Sequence, residues 1–440
     1  MLYRFIVENF KSFKDRNEIS FIPEVSLRHA AYRDSAIPVV RDAVIYGANA
    51  AGKSNVVKAI DFVKKIVLTN KISSIVPGLA YRLDEETKTK PSLFVVEMRI
   101  KEKLYQFGIV LSFAQGIILQ EWLKEYSEEN SRWESVYTRF WNKKDKSYKA
   151  QFNYPAETAN VSRYQTYQID IASSTKTLAL YELASKKMVG DVFVDAVNDV
   201  FNWFNDLIIV FPSSRYNLLG RLVKNIESVN ALYKKYFKIF GIDIDEIRLS
   251  EVPINYIPIS DEIKESIRQD LMDSDSESMA MIHGTDQDYL AKLSANRDLE
   301  LLEVKFVHMQ DQYEVEFSQY EESDGTQRLF DLIPMLGYIV DSDKVAIIDE
   351  IDRSLHCLLT REMFRYFLAN TDNRHSQLIC TTHQVLLMDL KLLGRKEIWF
   401  VEKAKKSSFI YPLDQYKFNG DTLNVADNYL IGRFGGIPKY

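Results

Sequence analysis

Gly47-Ala48-Asn49-Ala50-Ala51-Gly52-Lys53-Ser54 is the stretch from which the rest of the chain can be read. It has the spacing G-x-x-x-x-G-K-[ST], and each fixed position has a chemical reason. Gly47 and Gly52 let the backbone turn tightly, so that successive N–H groups converge on phosphate oxygens. Lys53 reaches the terminal phosphates as a point charge, and Ser54 offers a hydroxyl to Mg²⁺. Upstream, Ala43-Val44-Ile45-Tyr46 is a short apolar run that predicts a buried strand. Downstream, Val56, Val57, Ile60, Val63 and Val67 recur at helical spacing. A strand, a glycine-rich loop and a helix start together make an anion site from unpaired N–H groups and the helix dipole.

Working outward, residues 1–22 alternate in character and predict two strands joined by a turn at Asn9-Phe10-Lys11-Ser12-Phe13. Residues 24–41 read as a loop. Strand patterns return over 91–122 and continue in aromatic-rich segments near 132–155, predicting an antiparallel meander. Residues 176–209 and 221–240 turn helical. The acidic stretch 257–300, centred on Asp273-Ser274-Asp275-Ser276-Glu277-Ser278, reads as a solvated loop. Strands follow at 302–308 and 313–317, with a helix from about Thr326. Short apolar runs at 344–348, 378–380 and 398–401 fit buried parallel strands.

Two of those runs end in reactive groups. Val345-Ala346-Ile347-Ile348-Asp349-Glu350 closes on two carboxylates. At a strand end, Asp349 suits Mg²⁺ and Glu350 suits the polarisation of an attacking water. Leu378-Ile379-Cys380-Thr381-Thr382-His383 closes on a histidine, at the sheet edge where ligands bind in α/β folds. Before them lies Glu322-Ser323-Asp324-Gly325-Thr326-Gln327-Arg328, which opens the helix carrying Leu329, Phe330, Leu332, Ile333 and Leu336. By itself this is a helix cap. In this order it also reads as a second anion site, and one nucleotide can use both sites only if they come from different subunits.

Composition sets bounds. The 440 residues suffice for two or three domains, and a hydrophobic content of 46% with 27% charged residues is ordinary for a globular chain. A net charge of −6 argues against a strongly basic nucleic-acid clamp. The basic clusters Lys143, Lys144, Lys146, Lys149 and Lys403, Lys405, Lys406 read as solvated loops. Cys357 and Cys380 lack metal-ligand spacing and read as reduced thiols. Charges at Arg4, Glu8, Lys11 and Lys14 interrupt any leader layout, and no apolar run spans a bilayer. A soluble cytoplasmic chain is expected.

This order of motifs resembles the ABC-type ATPase heads, among them the structural-maintenance-of-chromosomes proteins, the RecF group and the overcoming-lysogenization-defect ATPases. The resemblance matches Gly47–Ser54 to the Walker A loop, Glu322–Arg328 to the signature, Asp349–Glu350 to Walker B, Ser354–His356 to the D-loop and His383 to the switch histidine. The ending Tyr429-Leu430-Ile431-Gly432-Arg433-Phe434-Gly435-Gly436-Ile437-Pro438 resembles stand-alone prokaryotic ATPases of anti-phage defence and abortive-infection operons. Two departures stand out: Asp324 occupies a position that is Gly in transporters, and no glutamine loop can be placed.

The resemblance implies an α/β fold: an ABC-ATPase head with a mixed sheet around a phosphate-loop core, an antiparallel β subdomain and an inserted helical lobe. The expected divisions are 1–170, 171–310 (mainly helical, with the acidic loop) and 311–440. It implies ATP and Mg²⁺ as cofactors. Gly47, Asn49, Ala51, Gly52, Lys53, Ser54 and Asn55 form the expected nucleotide set, completed by Ser323, Gly325 and Thr326 of a second subunit. Ser54 and Asp349 hold the metal, and Glu350, His383 and Lys53 are the expected catalytic residues. The implied partners are a second copy of the chain and an effector (nuclease or toxin) encoded nearby, in anti-phage defence. A DNA-binding repair ATPase of the RecF kind is the second reading, and nucleic acid would then be the partner.

Overall fold

Five consecutive buried residues, Asp42–Tyr46, make the strand that precedes the phosphate loop, and the rest of the first unit is organised around it. The computed structural model describes residues 1–440 except 23–37, 72–74, 174–176, 213–225, 255–256, 258, 273–278, 284–287, 295, 372–373, 418–423 and 438–440. The chain divides into two compact units. The first is Met1–Phe211 with Asp343–Ile351 and Asp372–Tyr440, and the second is Pro212–Ser342 with Asp352–Thr371.

In the first unit, β1 (Leu2–Glu8) and β2 (Asn17–Ser20) pair around the Asn9–Phe13 turn, where Asn9 and Lys11 take positive φ. The expected meander follows β3 (Asp42–Tyr46): β4 (Ser92–Ile100), β5 (Lys103–Ser112), β6 (Ile117–Ser127), β7 (Arg132–Asn142) and β8 (Ser147–Phe152). These form a seven-stranded antiparallel sheet in the order β2-β1-β4-β5-β6-β7-β8. The helices of this unit up to β9 are α1 (Lys53–Thr69), α2 (Glu85–Thr89), α3 (Val161–Ser173), α4 (Ala179–Ser185) and α5 (Val192–Asp206). On α1 the buried face is Val56, Val57, Ala59, Ile60, Val63, Ile66 and Val67. Each large aliphatic side chain there contributes roughly 1.5–3 kcal/mol of burial.

A buried ion pair ties the meander to α4. The residue before α4 is Leu178, whose side chain cannot cap a helix. Glu121 of β6 does so instead, accepting 2.8 Å bonds from the Ala179 and Leu180 amides. Tyr137 donates to the same carboxylate at 2.8 Å, and Arg139 lies 3.7 Å away while donating to the Thr177 carbonyl. Every charge is thus met by partners, which is the condition for burying it.

The second sheet of this unit has six strands. Its members are β3, β9 (Ile208–Val210), β15 (Val345–Ile348), β16 (Gln377–Thr381), β17 (Ile398–Ala404) and β18 (Ser407–Pro412). The order is β18-β17-β3-β16-β15-β9, parallel throughout except for β18 on the edge. A mixed sheet carrying the phosphate loop beside an antiparallel sheet is the expected α/β fold.

The second unit contains α6 (Ile226–Phe240), α7 (Asp261–Met272), α8 (Asp324–Asp341) and α9 (Cys357–Asn370). Its five-stranded sheet joins β10 (Glu246–Val252), β13 (Leu299–Gln310), β12 (Asp288–Leu293) and β11 (Ala280–His283) in that order, with β14 (Tyr313–Ser318) also on β13. Pro334 lies inside α8 and has no N–H for the carbonyl of Phe330. The Tyr233 hydroxyl donates to that carbonyl at 3.1 Å, with its ring stacked on Phe330 at 4.5 Å.

Two expectations change. The expected lobe 171–310 carries the helices α4–α7 and, among them, the strands β9–β13. Its bounds at 170/171 and 310/311 differ from those of the two units: the first cuts α3, and β9 inside the expected lobe completes the parallel sheet. The stretch 257–300 is not a loop. Ile263, Ile267 and Leu271 form an apolar stripe on α7, and Tyr289, Leu290 and Ala291 are buried in β12. Dense charge hid a helical period there. The acidic run 273–278 at its centre lies outside the described residues, as does part of 24–41.

Candidate nucleotide-binding site

The six-stranded sheet brings the sequence motifs of the first unit to one edge. β3, β16 and β15 are adjacent and parallel, with Ile45 opposite Thr381 and Cys380 opposite Ile348. The loops leaving their carboxyl ends are 47–52, 382–384 and 349–351, and this edge is where parallel α/β sheets hold ligands.

The phosphate loop is tightly packed from outside. A Cβ on Gly47 would stand 2.4 Å from the Val401 carbonyl oxygen. Gly52 takes φ 118°, and a Cβ there would lie 2.5 Å from Ser408 Oγ and 2.8 Å from Ser12 Oγ. Only glycine combines that backbone with that space. Ser408 Oγ donates to the carbonyl of Ala51 at 2.5 Å. Asn55, in the first turn of α1, donates to Ser12 Oγ at 2.7 Å. Asn49 is exposed, Gly47 and Ala51 are buried, and Ser54 is half-buried.

Lys53 is buried, and its ammonium donates to the carbonyls of Gly47 at 2.8 Å and Ala48 at 3.3 Å. It also lies 3.0 Å from Nε2 of His383. An ammonium has no lone pair, so this imidazole nitrogen accepts.

The two carboxylates are placed by Thr381. Its hydroxyl donates to Asp349 Oδ1 at 2.7 Å and accepts from the Glu350 amide at 2.8 Å. Asp349 is buried, and its own amide donates to the Val210 carbonyl. Glu350 takes φ 51°, a left-handed turn that carries the chain off β15. Thr381, Ser12 and Ser408 were not singled out from the sequence. The signal for Thr381 was a hydroxyl on an apolar strand two residues before His383, which a pattern search passes over.

Ser323, Gly325 and Thr326 belong to the second unit. Ser323 caps α8, its Oγ accepting from the Thr326 amide at 3.1 Å and lying 2.9 Å from Thr326 Oγ1. A Cβ on Gly325 would lie 3.0 Å from the carbonyl oxygen of Ser354, so the signature stretch and the Ser354–His356 stretch are packed together. His356 caps α9 through Nδ1, which accepts from the Leu358 amide.

The opposite edge of the six-stranded sheet is chemically distinct. Asp42, at the start of β3, and Glu397, just before β17, are both buried. Burial pushes the Asp42 carboxyl up to about 7, against the pull of the Arg41 guanidinium. Glu397 is raised well above the usual range by burial and then by Asp42.

Among known proteins, the family described as "AAA domain, putative AbiEii toxin, Type IV TA system" matches residues 43–389, a span that runs from the strand before the phosphate loop past His383. No curated protein matches the chain. Similar solved structures include an SMC head bound to the C-winged helix domain of ScpA, at 13% identity over 93% of this chain and 97% of that one, with a TM-score of 0.44. The SMC head domain from Thermotoga maritima matches at 13% identity over 93% and 98%, with a TM-score of 0.39. The Pyrococcus furiosus SMC head with an extended coiled coil, bound to the C-terminal domain of ScpA, matches at 12% identity over 94% and 96%, with a TM-score of 0.43.

Proposed function

The chain belongs to this family of AAA domains and is an ATPase, and on that premise we propose that it is an ATP-gated clamp of two subunits that controls a partner effector in anti-phage defence. The observation that carries the reading is the contact of Lys53 with His383, 3.0 Å apart, two residues along from the threonine that holds Asp349. Phosphate, metal and water chemistry would meet at those strand ends.

The residues fit the groups they are asked to hold. Gly47 and Gly52 turn the loop where a Cβ would strike Val401, Ser408 or Ser12, and the buried Lys53 follows directly after them. Gly47, Asn49, Ala51, Gly52, Lys53, Ser54 and Asn55 would bind the nucleotide, with backbone N–H groups on the phosphates. Ser54 and the buried carboxylate of Asp349 are the donors suited to Mg²⁺, which when bound neutralises charge on the β- and γ-phosphates. Lys53 would exchange its carbonyl acceptors for phosphate oxygens. His383, freed from Lys53, would turn its ring toward the γ-phosphate. Glu350 would orient the attacking water.

Ser323, Gly325 and Thr326 would close on the γ-phosphate from a second copy of the chain, making ATP both substrate and glue. A ligand can drive closure only through tighter binding to the closed state, and this arrangement supplies that difference. The family description, a putative AbiEii toxin of a type IV TA system, supports the defence role, which would be played in the cytoplasm. Among the described residues no helix is long and apolar enough to cross a membrane.

The test is the solution mass of purified Glu350→Gln with and without Mg-ATP. A dimer that appears with ATP and is lost on adding Ser323→Arg supports the clamp. A mass indifferent to ATP, or wild-type hydrolysis by Glu350→Gln, removes it. ATPase activity stimulated by DNA would move the reading to a DNA enzyme.

A further inference from the structure

The segment that ends the described chain, α10 (Val425–Leu430) and residues 431–437, lies against the first residue of the phosphate loop. A Cβ on Gly436 would stand 3.8 Å from Gly47 Cα and 3.5 Å from the rings of Phe400 and Tyr429. Gly435 and Gly436 take φ 67° and 68°, and a Cβ on Gly435 would meet Glu402 Oε2 at 2.5 Å and the Tyr411 hydroxyl at 2.6 Å. Neither position accepts a side chain without strain, so the approach is built into the backbone.

Aromatic groups hold the segment there. Tyr429 stacks on Phe400 at 5.5 Å, faces Tyr46 at 5.9 Å and donates its hydroxyl to the Gly436 carbonyl at 3.0 Å. The Phe434 carbonyl accepts from Tyr411 and Tyr416 at 2.9 and 3.0 Å. The residues on the other side of this contact belong to the site. The Gly47 carbonyl holds the Lys53 ammonium, and the Tyr46 hydroxyl donates to the carbonyl of Gln384, the residue after His383.

We propose that residues 425–437 are a positioning element for the phosphate loop: they set the pose of Gly47, and through it that of Lys53, without giving a group to the nucleotide. The proposal rests on the ATPase reading above. It makes nucleotide affinity depend on a segment that follows the six-stranded sheet in sequence.

The experiment uses the full chain with Tyr429→Phe, which removes one hydroxyl and keeps the ring, and Gly436→Ala, which strains the backbone. Steady-state ATPase, binding of a fluorescent ATP analogue and thermal melting are measured for each. The expected result is a KM and analogue Kd raised roughly 3–10-fold, with kcat within about twofold of wild type. In Tyr429→Phe the Tm without nucleotide falls only modestly, by the loss of one hydrogen bond to the Gly436 carbonyl. Wild-type KM and Kd in both variants overturn the proposal. A lowered Tm at unchanged KM overturns it too, because the segment is then only a brace, and so does a fall in kcat alone. If Gly436→Ala does not fold, Tyr429→Phe decides. Lys53→Ala is the control: a wild type that binds no more analogue than Lys53→Ala overturns the nucleotide site itself, whereas normal wild-type binding with normal variants sinks only the positioning role.

Discussion

Nζ of Lys53 lies 3.0 Å from Nε2 of His383, a contact between residues 330 positions apart that joins the start of α1 to the loop after β16. His383 is exposed, so its removal touches little packing. His383→Ala is expected to lower kcat about 10²-fold, the scale of losing one transition-state contact, while Tm barely moves. Steady-state ATPase and thermal melting on one preparation check both halves.

Thr381 supports both carboxylates from the neighbouring strand. Thr381→Val keeps the shape and deletes the hydroxyl. Stability should fall by about 1–3 kcal/mol, because the buried Asp349 carboxylate loses a donor. Activity should fall about 10–100-fold, with the Mg²⁺ requirement shifted to higher concentration. Urea unfolding and Mg²⁺ titration of the ATPase measure the two effects. An unaltered Mg²⁺ requirement would remove Asp349 from the metal site.

Tyr233 answers the orphan carbonyl that Pro334 leaves in α8. Tyr233→Phe keeps the ring on Phe330 and strands that carbonyl, at a cost of about 1–3 kcal/mol. Pairing it with Pro334→Ala should recover part of the loss, since the helix then supplies its own donor. Denaturant midpoints of the two single variants and the double variant give the coupling.

Asp42 predicts a pH dependence. Its carboxyl is raised to about 7 in the folded chain, against about 3.8 for the ordinary group, so the folded state holds the proton longer than the unfolded state does. Its contribution is present below pH 3.8, declines as pH rises to about 7, and is then gone. The span is on the order of a few kcal/mol. Asp42→Asn should therefore gain Tm relative to wild type as pH goes from 5 to 7, with the difference levelling above that. A constant difference across this range would mean that Asp42 is ionised in the fold.

Short-range patterns carried much of the reading. The strand before the phosphate loop, α1, the meander and the three apolar runs that became β15, β16 and β17 were visible because each has its own period or apolar block. Ser323 was visible as a cap for the same reason. The acidic stretch failed because its helical stripe is only three residues, Ile263, Ile267 and Leu271, set among charges. The two units were not legible because the chain returns to the first unit twice, first for only nine residues, Asp343–Ile351, and again from Asp372, and no local composition marks the first return.

By itself the sequence determined the phosphate loop, the carboxylate pair, the histidine and the kind of sheet that holds them, because backbone turning, apolar blocks and ionisable side chains are properties of neighbouring residues. Only the tertiary structure decided that His383 faces Lys53, that Thr381 holds Asp349 and Glu350, and that Gly436 rests on Gly47. Those relationships depend on strand order and register. They are set by how distant segments pack to bury their apolar faces and satisfy their polar groups, which no local pattern records.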